Sequence, residues 1–141
     1  MPKSYLPSQP AAQRGFRQRF DPYSQVFVRL RALQMEGHEV SKVELRILGG
    51  TWSSYKKQYQ TWFVKRCLQA MNEYRAIERE KIKKVKVKSR YGEEIVHKVV
   101  VKSSGSISLQ EAIATNETAV VRCIGINIET RPDFIDEKEI R

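Results

Sequence analysis

Apolar residues recur along the chain with two different periods, and the switches between them mark the elements. Asp21-Pro22 opens the first strongly periodic stretch. Asp21 can accept from free amide groups, and Pro22 suits a first helical position, where no amide partner is needed. Val26, Phe27, Leu30 and Leu33 then fall on one stripe, which predicts a helix over 22–36 that stops at Gly37. Residues 42–48 change to alternation, with Val43, Leu45 and Ile47 on one face, as in a strand. Gly49-Gly50-Thr51 ends it. The helical period returns with Tyr59, Trp62, Phe63, Cys67, Ala70, Met71 and Tyr74. This predicts a helix over 55–80, capped by Ser53 or Ser54 and fading in the charged stretch 75–81.

Residues 82–102 read differently. Val85 and Val87 alternate with Lys84, Lys86 and Lys88, a turn-like Arg90-Tyr91-Gly92-Glu93 follows, and Ile95, Val96, Val99, Val100 and Val101 form a second β-rich run. The pattern predicts a basic β-hairpin inserted into a helix–strand rhythm. Ser103-Ser104-Gly105-Ser106 is a joint. Ser108-Leu109-Gln110-Glu111 matches a capping box and predicts a helix over 109–118. Residues 120–130 are apolar and β-branched enough for a buried strand. Arg131-Pro132 ends it, and Asp133 is placed to cap the start of a helix over 134–141. Residues 1–20 contain three prolines and no regular apolar period, so they read as an arm or loop.

Two strands joined through helices predict a parallel pair with a right-handed crossover. Two such strands do not complete a sheet, so the pattern reads as the middle of a larger α/β domain with unpaired edges. Marginal stability and self-association are the corresponding expectations.

Charge refines this picture. The net charge is +10 over 141 residues. Residues 1–20 carry Lys3, Arg14, Arg17 and Arg19 with no acid, and residues 81–102 carry eight basic side chains against Glu93 and Glu94. Concentrated positive charge points to phosphate-rich partners, because nucleic acid releases counterions on binding it; a solvated lysine face is the alternative. No apolar run approaches the roughly 18 residues that span a membrane, and the N-terminal stretch lacks an apolar signal region, which predicts a cytoplasmic protein.

The candidate chemistry gathers at two strand ends, where α/β proteins bind ligands. Gly49-Gly50-Thr51-Trp52 offers backbone that a ligand can approach closely, or merely a tight turn. Glu129-Thr130-Arg131-Pro132-Asp133 brings acid, base and acid out of an apolar strand; it suits a ligand with amine and carboxylate groups, or pairs internally through Arg131. His38 and His97 read as surface residues. The two cysteines, Cys67 and Cys123, read as ordinary buried thiols and cannot make a metal site with two histidines. There is no Ser–His–Asp triad, phosphate-cradling GxxxxGK or dinucleotide GxGxxG, so no catalytic residue is assigned.

Several runs are recognisable together: Met1-Pro2-Lys3-Ser4-Tyr5, Phe20-Asp21-Pro22-Tyr23, Gly37-His38, Lys42-Val43-Glu44, Leu48-Gly49-Gly50-Thr51-Trp52 and Ile124-Gly125-Ile126-Asn127-Ile128-Glu129-Thr130-Arg131-Pro132-Asp133. In this order they resemble the Elongator catalytic subunit family, in its bacterial and archaeal form, over residues 1–80 and 108–141. The resemblance implies a partial TIM-type radical-S-adenosylmethionine barrel with an iron–sulfur cluster, followed by an acetyltransferase domain. The family's implied activity is adding a carboxymethyl-type group, derived from acetyl-CoA, to the wobble uridine of tRNA. Carried onto this chain, Gly49, Gly50 and Thr51 match the motif that holds the methionine end of S-adenosylmethionine, and Glu129 and Arg131 match a group facing the same cavity. Lys3, Arg14, Arg17 and Arg19 would lie toward tRNA or acyl donor, and Lys83, Lys84, Lys86 and Lys88 are candidate tRNA contacts. The family's three cluster cysteines are expected just before Met1, and its acetyltransferase domain after Arg141. This chain by itself is therefore expected to be inactive. The resulting division is a basic arm over 1–20 and a partial barrel over 21–141. A non-catalytic RNA-binding module using the hairpin and arm is the competing reading, and an unrelated small-ligand α/β protein a third.

Overall fold

The computed structural model of the chain describes residues 8–74, 82–89, 92–99, 106–135 and 137. The elements run α1 (Pro10–Arg17), α2 (Pro22–Met35), β1 (Lys42–Ile47), a single 3-10 turn (Trp52–Ser54), α3 (Lys57–Glu73), β2 (Ile82–Ser89), β3 (Gly92–Val99), α4 (Leu109–Glu117), β4 (Arg122–Ile128) and a second 3-10 turn (Pro132–Phe134). None of the described helices is long and apolar enough to cross a membrane.

The stretch expected as an arm contains α1. Pro10 presets its first turn, and Ala11 and Ala12 favour helix. No apolar stripe announces this helix because its one buried residue is Gly15. Asp21 caps α2 as its spacing predicts, accepting from the Ser24 amide at 2.8 Å. Gly37 ends that helix region at φ 90°, a conformation that favours glycine.

The core lies between α2, α3, α4 and one face of β1. Tyr23, Phe27, Leu30, Leu45, Ile47, Cys67, Leu68, Ala70, Met71, Ala112 and Val121 are buried in one cluster. A polar seam fastens α2 to α3. The Tyr23 hydroxyl donates to Glu73 at 2.8 Å, Gln69 donates to the same carboxylate at 3.0 Å, and the Arg66 guanidinium sits 4.5 Å from the Tyr23 ring centre. Burial, and then the bond to Glu73, push the Tyr23 phenol above its ordinary value.

β1 and β4 pair in parallel, Lys42 opposite Arg122 and Ile47 opposite Ile128, with a register shift between Val43 and Glu44. β2 and β3 form a separate antiparallel pair from Ile82 opposite Val99 to Ser89 opposite Gly92. Among the described residues each sheet has two strands.

Three local expectations need correction. α3 begins at Lys57 with Lys56 as its uncapped lead residue, because the glycine bend passes first through the 3-10 turn. Ser53 and Ser54 are spent there: the Ser54 hydroxyl donates to the Thr51 carbonyl at 2.6 Å, and Ser53 turns to Thr130. β4 is not a buried strand. Ile124, Ile126 and Ile128 are 68%, 46% and 39% exposed, since no described element covers that side. Asp133 lies within the second 3-10 turn and accepts from the Arg131 guanidinium at 2.9 Å; the helix expected over 134–141 falls largely outside the described residues, at 136 and 138–141.

Candidate functional site at the tips of the parallel strands

Parallel pairing brings the C-terminal ends of β1 and β4 together. The Glu129 amide donates to the Ile47 carbonyl at 3.1 Å, which carries the ladder to the very end of both strands. Beyond it the two tips are stitched by side chains. The Ser53 amide donates to Thr130 Oγ1 at 3.3 Å, and the two hydroxyls lie 3.0 Å apart.

On the β1 side the chain bends through Gly49 at φ 98° and Gly50 at φ 61°, both in the region that side chains resist. A methyl group on Gly50 would also lie 3.0 Å from the Tyr55 hydroxyl. Neither glycine amide is engaged in a backbone hydrogen bond among the described residues, so both remain available to a ligand. The turn that follows is held rigid by the buried Gln60, whose amide donates to the carbonyls of Trp52 at 3.0 Å and Tyr55 at 3.1 Å. Trp52 is buried and meets Phe63 edge-on with ring centres 5.5 Å apart.

This bend borders a cavity of about 390 Å³, with Phe16 and Phe20 from the α1 side and Trp52, Tyr55 and Tyr59 from the α3 side. Burial raises the Tyr59 phenol above its ordinary value, so the wall is neutral there. A second cavity of about 430 Å³ runs along β1 beneath α1 and α2. The two share Ala11, Gln25, Ile47, Leu48 and Phe63 in their linings.

Of the residues singled out from the sequence, Gly49 and Gly50 line the 390 Å³ cavity; Thr51, Glu129 and Arg131 do not. Arg131 holds Asp133 with both ends of its guanidinium, Nε at 2.9 Å from Oδ1, and stands 5.6 Å from the Phe134 ring centre. This is the internal pairing that the sequence left open. Arg14, Arg17 and Arg19 are exposed on and just after α1, and Lys86 is exposed on β2. The Cα partners of Lys83, Lys84 and Lys88 are Lys98, His97 and Glu93. Lys3 lies outside the described residues. Ser53, Gln60 and Thr130 organise the site and were not singled out, because their partners become visible only once β1 and β4 are side by side.

The described residues do not fit an iron–sulfur cluster. Cys67 is buried in α3, where burial pushes its thiol well above the ordinary value. Cys123 lies within β4 and its thiol meets the Gly125 carbonyl at 3.3 Å. Among the described residues no three His, Cys, Asp or Glu side chains gather as a metal set.

No protein-family model matches the chain. A protein named tRNA uridine(34) acetyltransferase from Methanocaldococcus infernus is 41% identical over 140 residues, which is 99% of this chain and 21% of that protein. Its namesake from Methanocaldococcus jannaschii is 39% identical over 140 residues, 99% of this chain and 20% of that protein. Elongator complex protein 3 of Homo sapiens is 27% identical over 138 residues, covering 98% of this chain and 20% of its own length. Among solved structures, the archaeal Methanocaldococcus infernus Elp3 with an N-terminal deletion (1–46) is similar with a TM-score of 0.65 at 40% identity, over 89% of this chain and 22% of that one. The chain spans about a fifth of the length of these relatives. In sequence and in its α/β fold the chain is similar to one segment of proteins named tRNA uridine(34) acetyltransferase and Elongator complex protein 3.

Proposed function

We propose that this chain is part of an enzyme that modifies the wobble uridine of tRNA, using S-adenosylmethionine radical chemistry and acetyl-CoA. In this reading β1 and β4 are neighbouring staves of a partial TIM-type barrel, and the β2–β3 pair is a basic hairpin inserted between them. The observation that carries it is the pairing of two adjacent parallel strand tips, one a ligand-accessible double-glycine bend, in a chain 41% identical to a tRNA uridine(34) acetyltransferase.

The residues at the β1 tip fit the methionine end of S-adenosylmethionine. Gly49 and Gly50 line the cavity and make no backbone hydrogen bond through their amides among the described residues, and a side chain at Gly50 would meet Tyr55. Amide groups of this kind suit a carboxylate. Bound there, S-adenosylmethionine would supply a sulfonium group open to one-electron reduction, the source of the radical in this reading. The chain's own residues hold the bend, through Gln60 and the Ser53–Thr130 stitch, and keep one wall apolar through Trp52 and Phe63. Glu129 and Thr51 flank the bend, while Arg131 is oriented by Asp133 at the neighbouring tip.

The basic groups are assigned to tRNA: Lys3, Arg14, Arg17 and Arg19 from the N-terminal segment, and Lys83, Lys84, Lys86 and Lys88 from the hairpin. This reading places the enzyme in the cytoplasm.

Equilibrium dialysis of the 141-residue chain against S-adenosylmethionine tests the site. Retention of the cofactor by the wild type, and its loss in Gly49→Val and Gly50→Val variants that keep their far-ultraviolet dichroism, is the expected result. Equal retention by the folded variants would remove the double-glycine bend from the site.

A further inference from the structure

The end of α1 carries two exposed aromatic rings at the edge of the glycine-bend cavity. Phe16 and Phe20 are 64% and 59% exposed, although aromatic rings of this size normally bury most of their area. They stand as an edge-to-face pair, ring centres 6.2 Å apart at 83°. The backbone is bent to place them. Arg19 at φ 51° and Phe20 at φ 57° both occupy the left-handed region, which non-glycine residues avoid unless surrounding contacts impose it. Here the Phe20 amide donates to the Gly15 carbonyl at 2.7 Å, and the Phe20 ring covers Gly15 so closely that a Cβ there would lie 3.1 Å from it.

Arg14, Arg17 and Arg19 are exposed on the same segment, and residues 1–20 hold no acid. Exposed rings between guanidinium groups are what single-stranded nucleic acid binds, with bases stacking on the rings and phosphates meeting the cations. A protein partner would also cover the rings, but it would not by itself call for three exposed arginines and no acid along the segment that carries them. Phe16 and Phe20 also stand in the lining of the 390 Å³ cavity that contains the double-glycine bend.

Resting on the tRNA reading, we propose that Phe16 and Phe20 form a stacking platform for an unpaired RNA base. The platform holds that base at the mouth of the glycine-bend cavity, with Arg14, Arg17 and Arg19 on the flanking phosphates. Phe16 and Phe20 are positioning residues for the nucleotide rather than participants in bond making.

The test is a titration of the full chain with a seven-nucleotide single-stranded RNA containing 2-aminopurine, read by fluorescence and by filter binding at several salt concentrations. The wild type quenches the probe. Phe16→Ala binds roughly tenfold more weakly and loses the quenching, with an unchanged salt slope because no phosphate contact is lost. Phe16→Trp restores both. Replacing Arg14, Arg17 and Arg19 together with Ala flattens the salt slope. Phe16, being exposed, is the primary variant; Phe20→Ala is read only if its dichroism matches the wild type, since that ring packs on Gly15. Wild-type affinity and quenching in Phe16→Ala would refute the platform while leaving RNA binding intact. A chain with no affinity for the RNA at any salt concentration would refute the platform and the tRNA reading together.

Discussion

Individual polar side chains decide how this chain holds its segments together, and Asn116 shows the principle. It is buried at the end of α4. Its carbonyl accepts from the Cys123 amide at 2.7 Å, and its amide donates to Asn72 at 2.7 Å and to the Val121 carbonyl at 3.0 Å. Asn72 in turn donates to the Ala112 carbonyl at 3.0 Å. One side chain thus joins α3, α4 and the start of β4. Asn116→Ala strands buried backbone groups without partners, and the expected loss of stability is about 2–4 kcal/mol. Urea unfolding measures it, and a change below about 0.5 kcal/mol would show that water replaces the amide. Nothing local in the sequence marks Asn116, because its partner Asn72 lies 44 residues away. Asp21 is the opposite case: the amide it caps is three residues on, so spacing alone reveals it.

At the scale of elements, the strongest local signals are caps and periods. The capping box of α4 forms with both halves present: the Glu111 carboxylate accepts from the Ser108 amide at 2.6 Å, and the Ser108 hydroxyl accepts from the Glu111 amide at 3.1 Å. Ser108→Ala should cost about 1 kcal/mol. The bonds from Ser108, backbone first, hold the Glu111 carboxyl below its ordinary value. A depressed value in the folded state means that this stabilisation is fully present above the unfolded-state value and is lost as pH falls through the folded one. The protection factors of the α4 amides, exchange rates corrected for the intrinsic pH dependence, should therefore fall on acidification in the wild type and depend less on pH in Glu111→Gln; identical profiles would dismiss the carboxylate's role. α1 escaped the same reading because Ala and Gly make its contacts, and small residues leave no apolar stripe.

For the whole molecule, the parallel pair is the decisive feature. A pair of parallel strands with helices on one side leaves outer backbone groups and Ile124, Ile126 and Ile128 open to other chains. The 141-residue chain should accordingly associate: its melting temperature should rise with protein concentration, and sedimentation should show species larger than 16.4 kDa. A monomer whose cooperative melt is independent of concentration would contradict this. Charge acts at the same scale. The cations of α1 and of β2 are far apart in sequence, and each segment is separately rich enough to read as a phosphate-binding surface.

By itself the sequence determined the helices α2, α3 and α4, the strand β1, the bend at Gly49-Gly50 and the caps at Asp21 and Ser108. Each of these depends on residues within a turn or two of one another. Only the tertiary structure decided that Ser53 meets Thr130 across 77 residues, that the isoleucines of β4 are exposed, and that Phe16 and Phe20 line the cavity of the glycine bend. Those outcomes depend on which surfaces arrive opposite each other, and a side chain's own neighbours along the chain carry no record of that.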